Sequence, residues 1–146
     1  MNTRKTVSQR SDYPQFCDIQ TRWQDNDVYQ HVNNVTYYAF FDTAVNQHLI
    51  ANDVLDILNG DLIGLVVESG CRYLSPISFP DQLEVGLKVS KLGNSSVTYA
   101  LAVFVRGDET PAAEGHFVHV FVDRQTRRPV PMPDDLRAVL GALQAN

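Results

Sequence analysis

Apolar and polar residues alternate along positions 83–90, where Leu83, Val85, Leu87 and Val89 are separated by Glu84, Gly86, Lys88 and Ser90. Successive side chains of a strand point to opposite faces, so this period of two predicts a strand with one covered and one wet face. Val97, Tyr99, Leu101, Val103 and Val105 repeat the pattern. With the apolar runs around them, four strands are predicted over residues 62–73, 83–92, 97–106 and 112–122. Gly93-Asn94 and Gly107-Asp108 tolerate turn conformations, while Pro76 and Pro80 interrupt pairing after the first of the four. Successive hairpins are the expected connection. An earlier strand is expected within residues 15–23, which carry Phe16, Cys17, Ile19 and Trp23.

Between that strand and the other four the period changes. Val35, Tyr38, Phe41, Val45 and Leu49 form one helical stripe, and Tyr37, Phe40, Ala44 and His48 an adjacent one. A helix is predicted from residue 35 to about 58, with Asn59-Gly60-Asp61 ending it. Asp42 is its one charge before Asp53. A helix apolar over most of its circumference has to be enclosed, by a sheet or by a sheet plus another subunit. Near the end of the chain Pro129, Pro131 and Pro133 mark an extended link, and Leu136, Val139, Leu140 and Leu143 give the stripe of a short closing helix. Residues 1 to about 13 are polar and expected to be loosely attached, leaving residues 14–146 as a single domain. The expected class is α+β: a long central helix wrapped by a curled five-stranded antiparallel sheet, with a short C-terminal helix.

Composition narrows the function. A length of 146 residues fits one domain with a substantial core. A net charge of -5 without a basic stripe argues against a general nucleic-acid binder. Cys17 and Cys71 belong to no metal-ligand spacing and read as reduced thiols. The polar start lacks a secretory signal and no segment is apolar for long enough to cross a bilayer, so a cytoplasmic protein without membrane insertion is expected.

The candidate chemistry sits just before the long helix. Between Trp23 and Tyr38 the chain carries Asp25, Asp27, His31, Asn33 and Asn34. Asn33 or Asn34 is a good N-cap. The N–H groups left over and the positive end of the helix dipole would stabilise an oxygen that carries negative charge. A carboxylate beside an oxyanion site points to acyl chemistry.

Two stretches carry a resemblance. Arg22-Trp23-Gln24-Asp25-Asn26-Asp27 leading into His31-Val32-Asn33-Asn34-Val35-Thr36-Tyr37-Tyr38 is one, and Tyr73-Leu74-Ser75-Pro76-Ile77-Ser78-Phe79-Pro80-Asp81-Gln82-Leu83-Glu84-Val85 is the other. At this separation they resemble the hotdog-fold acyl-CoA thioesterases of the 4-hydroxybenzoyl-CoA thioesterase-like group. The His31-Val32-Asn33-Asn34 run is also similar to acyl-carrier-protein thioesterases. The resemblance implies a homodimer or dimer of dimers with each site at a subunit interface beside the central helix. It implies no metal and no cofactor beyond the coenzyme A of the substrate, with an acyl carrier protein as the other carrier. In the 4-hydroxybenzoyl-CoA thioesterase branch the second Asp of the acidic loop is catalytic, which is Asp27 here. The plant carrier-protein enzymes use an Asp, an Asn and a His at alternating positions, which fall on Asp27, Tyr29 and His31, so Tyr29 departs from that pattern.

The expected reaction is hydrolysis of a small or medium acyl-CoA. Asp27 is the general base or nucleophile, set against a plain Asx-turn role. His31 is a proton-transfer or positioning group, set against a histidine that bonds backbone. Asn34 and Val35 offer backbone N–H groups to the thioester oxygen. Asp25 is expected to bond loop backbone or pair with Arg22. Glu68 faces either a cleft or solvent, and Tyr37 either packs in the core and dimer or lines an aromatic acyl pocket. His116 and His119, an odd number apart, should lie on opposite faces and share no metal. His48 reads as a core or interface histidine and Cys71 as a buried structural cysteine. Arg72, Lys88, Lys91, Arg127 and Arg128 are candidates for coenzyme A phosphates or simply solvated. The alternatives are a non-catalytic acyl-CoA-binding or regulatory module, and an enoyl-CoA hydratase.

Overall fold

The computed structural model describes residues 7–144. Five antiparallel strands form one sheet: β1 (Gln15–Gln20), β2 (Leu62–Tyr73), β3 (Gln82–Leu92), β4 (Ser96–Val105) and β5 (Ala113–Asp123). Helix α1 (Thr36–Ala51) lies against it, and α2 (Asp134–Gly141) closes the chain. This is the α+β hotdog arrangement that the sequence leads one to expect.

Strand order across the sheet is β1-β3-β4-β5-β2. The expected succession of hairpins holds only for β3, β4 and β5. Strand β2 pairs with β5, from Leu62 opposite Asp123 to Tyr73 opposite Ala113, and not with β3. The link that carries Pro76 and Pro80 takes the chain from this outer edge across to β3, next to the opposite edge strand β1, with Ile77 buried on the way. A bulge between Val66 and Glu68 breaks the β2 ladder.

The alternating pattern sorts the two faces as its period requires. Leu83, Val85, Leu87 and Val89 of β3 and Val97, Tyr99, Leu101 and Val103 of β4 are buried in one cluster with Phe41, Val45 and Leu49 of α1. Helix and sheet approach so closely at Gly115 that a Cβ there would overlap the ring of Phe41. Truncating a fully buried ring such as Phe41 to Ala costs about 3–5 kcal/mol.

Helix α1 stops earlier than expected. Asn52 caps it, Asp53 takes a left-handed φ of 58°, and Val54 N–H and Asp53 N–H return to the carbonyls of Leu49 (3.1 Å) and Ile50 (3.0 Å). These paired bonds satisfy the last carbonyls seven residues before Gly60. The first strand likewise ends at Gln20, and Trp23–Asp25 forms a 3-10 turn.

Residues 7–13 are not loosely attached. Tyr13 and Phe16 pack on Phe104 on the outer face, Arg10 lies over both phenylalanine rings, and Ser8 N–H donates to Glu114 at 2.7 Å. A Cβ at Gly86 would come within 2.7 Å of the Tyr13 ring, so the glycine makes room for this segment. The expectation for residues 1–6 lies outside the described residues. Among the described residues no helix is long and apolar enough to cross a membrane.

Candidate active site

The 3-10 turn at Trp23–Asp25 begins the site. Asp25 is buried, and its carboxylate accepts Arg22 N–H at 2.8 Å and Arg22 Nη2 at 2.9 Å. Its carbonyl accepts Asn33 N–H at 2.9 Å. Asp25 therefore does both structural jobs expected of it and braces the loop from inside.

Asp27 to His31 form a tight turn. Asp27 N–H bonds the His31 carbonyl at 2.9 Å, Gln30 N–H bonds the Asp27 carbonyl at 3.0 Å, and Gln30 takes a φ of 67°. Non-glycine residues enter that region at a cost, so the turn has to be held by its surroundings. The link between β2 and β3 holds it. Val32 N–H donates to the Ile77 carbonyl (2.7 Å), Ser78 Oγ to the Gln30 carbonyl (2.8 Å), and Phe79 N–H to Asn26 Oδ1 (3.0 Å). Trp23 meets Phe79 edge to face with centroids 6.0 Å apart. The two stretches that carried the resemblance are thus one unit in space.

The start of α1 completes the site. Asn33 Oδ1 accepts Val35 N–H at 3.0 Å and its carbonyl accepts Thr36 N–H at 2.9 Å, so of the two asparagines Asn33 is the one whose side chain satisfies an amide of the turn that leads into the helix. Val35 N–H, one of the two expected oxyanion donors, is engaged by that side chain. Among the described residues the N–H of Asn34 meets no acceptor. The Asn34 carbonyl accepts the hydroxyl of Tyr73, at the end of β2, at 2.9 Å.

A cleft of about 380 Å³ opens here, lined among others by Asp27, His31, Asn34, Tyr37, Tyr73 and Leu74. Asp27 Oδ1 accepts Tyr29 N–H at 2.8 Å, the Asx turn. Among the described residues its other oxygen takes no hydrogen bond, so the turn and a free carboxylate oxygen coexist. His31 is exposed at the rim, across the turn from Asp27, and the two side chains are not hydrogen-bonded. Tyr37 is a wall: it is buried, its ring meets Tyr73 edge to face at 5.0 Å, and desolvation, with Cys71 adding to it, pushes its hydroxyl up to about 12.

Glu68 is not at this site. It lies an odd number of residues from Tyr73 and hence on the other face of β2, exposed, with its carboxylate 2.9 Å from His116 Nε2. His119 is buried on the inner face, so the two histidines are separated as expected. His48 and Cys71 are half-buried. Asn26, Tyr73 and Ser78 join the site with no local signal in the sequence to mark them, whereas Asn33 is one of the two asparagines expected at the helix start.

An unpaired N–H at a helix start beside a free carboxylate oxygen can polarise a carbonyl and deliver a base or nucleophile to it. Comparisons with known proteins give the family of the chain. The PA5185 protein of Pseudomonas aeruginosa is 55% identical over 97% of this chain and 99% of its own, with a TM-score of 0.95. The PA2801 protein of the same organism is 29% identical over 86% and 96%, with a TM-score of 0.80. FadM of Escherichia coli, a long-chain acyl-CoA thioesterase, is 25% identical over 84% of this chain and 93% of its own. The profile of the thioesterase-like superfamily matches residues 21–140, and the chain belongs to that superfamily.

Proposed function

We propose that the protein hydrolyses acyl-CoA thioesters to a free acid and coenzyme A, with Asp27 as the catalytic carboxylate. The supporting observation is the free Asp27 oxygen in the same cleft as the unpaired Asn34 N–H. The thioester oxygen accepts that N–H at the positive end of α1, while the dipole favours the charge that develops on it. Asp27 takes a proton from water as the water adds to the carbonyl carbon. The tetrahedral intermediate then expels coenzyme A as the C–S bond breaks, and the thiolate recovers a proton. In the alternative order Asp27 attacks first and water opens the mixed anhydride. His31 at the rim serves as a proton carrier or substrate contact. Val35 contributes through the helix start rather than through its engaged N–H.

The active form is a homodimer, joined through the free edge of β2. That edge exposes Leu65, Val66 and Val67, an apolar row that an isolated chain would leave open to further pairing. Strand β2 ends at Tyr73 in the cleft, so a partner on this edge lies next to the site.

Thiol release from a panel of acyl-CoAs, short, aromatic and long-chain, tests the reading, with an acyl carrier protein substrate beside them. Asp27→Asn keeps the shape and the bond to Tyr29 N–H but removes the base, and turnover is expected to fall about 10²–10⁴-fold. Full turnover by Asp27→Asn removes Asp27 from the mechanism. Ligand binding without thiol release points instead to a binding module, and water addition to an enoyl-CoA points to a hydratase.

A further inference from the structure

The peptide unit between Asn34 and Val35 is held at both polar ends, and by side chains rather than by the helix. Its carbonyl accepts the Tyr73 hydroxyl at 2.9 Å and its N–H donates to Asn33 Oδ1 at 3.0 Å. Tyr38 N–H, which one turn on would ordinarily bond the Asn34 carbonyl, goes to the Val35 carbonyl instead at 3.2 Å. The preceding peptide, which carries the free Asn34 N–H, shares its Cα with the clamped unit. A pivot of the clamped unit therefore bears on the aim of the Asn34 N–H, together with the bond from Thr36 N–H to the Asn33 carbonyl at 2.9 Å that holds the preceding peptide.

Tyr73 is well placed to prevent that pivot. It is the last residue of β2, paired with Ala113, and its ring is seated edge to face on Tyr37, so the sheet delivers the hydroxyl. Desolvation raises the hydroxyl's pKa above the ordinary tyrosine value, and the neighbouring Cys71 adds to this, so the group keeps its proton and remains a donor.

We propose that Tyr73 is a positioning residue for thioester hydrolysis, aiming the Asn34 N–H at the developing oxyanion by fixing the Asn34 carbonyl. The inference rests on the thioesterase reading above. A donor acts fully on a transition-state charge only if it is oriented before the charge appears, whereas ground-state binding of the acyl-CoA draws mostly on other contacts. Loss of the tie should lower kcat and leave KM nearly alone.

The test is Tyr73→Phe, which keeps the ring on Tyr37 and removes only the hydroxyl. Steady-state kinetics on an acyl-CoA cleaved by the wild type should show kcat down about 10- to 100-fold with KM within about twofold. In nuclear magnetic resonance spectra the Asn34 and Val35 amide signals should shift, with faster Val35 exchange, while signals from β3 and β4 stay in place. Wild-type kcat in Tyr73→Phe, or a loss confined to KM, overturns the positioning role and leaves the thioesterase reading standing. Unmoved Asn34 and Val35 amides overturn it as well. A wild type that releases thiol from no acyl-CoA overturns the thioesterase reading and this inference together.

Discussion

Ser78 Oγ donates to the carbonyl of Gln30 at 2.8 Å and so ties the β2–β3 link to the residue of the acidic turn that sits at positive φ. The turn presents Asp27 and His31 to the cleft, and its left-handed residue is stable only while its neighbours are held. Ser78→Ala removes this tie alone. The expected cost is about 1 kcal/mol of stability, visible as a lower melting temperature, with a several-fold drop in kcat as Asp27 loses its fixed approach. A melting temperature and kcat equal to the wild type's would mean that the turn is held without Ser78.

The exposed apolar edge of β2 gives a prediction about assembly. Val67 is 60% exposed at the bulge, and a lysine there puts a charge where the proposed partner strand lies. Val67→Lys is expected to sediment as a monomer at concentrations where the wild type is dimeric, and to lose most of its turnover. A variant that remains dimeric and active would move the interface elsewhere.

Acid stability should depend on His119. Its two ring nitrogens and the Tyr99 hydroxyl are buried with no hydrogen-bond partner among the described residues. Burial lowers the folded-state pKa of His119, which Asp42 offsets in part. Because the folded value lies below the unfolded one, the unfolded chain binds the proton first as pH falls. Stability is thus complete above about pH 6.5 and declines below it towards the folded-state value. His119→Phe, set among Phe117, Phe121 and Tyr99, should flatten that decline and add about 1–2 kcal/mol at neutral pH. Denaturant unfolding between pH 4.5 and 7.5 measures both. Burial lowers the pKa of His48 as well, so it adds to the slope in the same direction.

Much of the fold could be read from the sequence because the decisive signals were local. Leu83 to Val89 and Val97 to Val105 alternate so regularly that they mark strands, but the outer face expected to be wet is covered at Ala102 and Phe104, because Tyr13 and Phe16 pack on it. The sequence does not mark the end of α1, because the left-handed residue after it is an aspartate, Asp53, rather than the glycine that usually occupies such a place. The partner of β2 could not be read, since its register with β5 is set by residues some fifty positions away and no turn announces it. The site divides in the same way. The cluster around Asp27 and the helix start stood out in composition. Which N–H is left free depended on whether the Asn33 side chain reached Val35, and the Tyr73 hydroxyl comes from a strand that the local sequence does not connect to the helix.

The contact between Gly115 and Phe41 limits how this scaffold can change. With no space for even a methyl group beneath the ring, α1 cannot settle deeper into the sheet, and swapping the glycine would push the helix and its N-terminal amides away from β2. A lineage that adapts to bulkier or slimmer substrates is thereby steered towards replacing the cleft's rim and walls, at positions such as Tyr37 and Leu74, while the glycine and the ring above it stay fixed together.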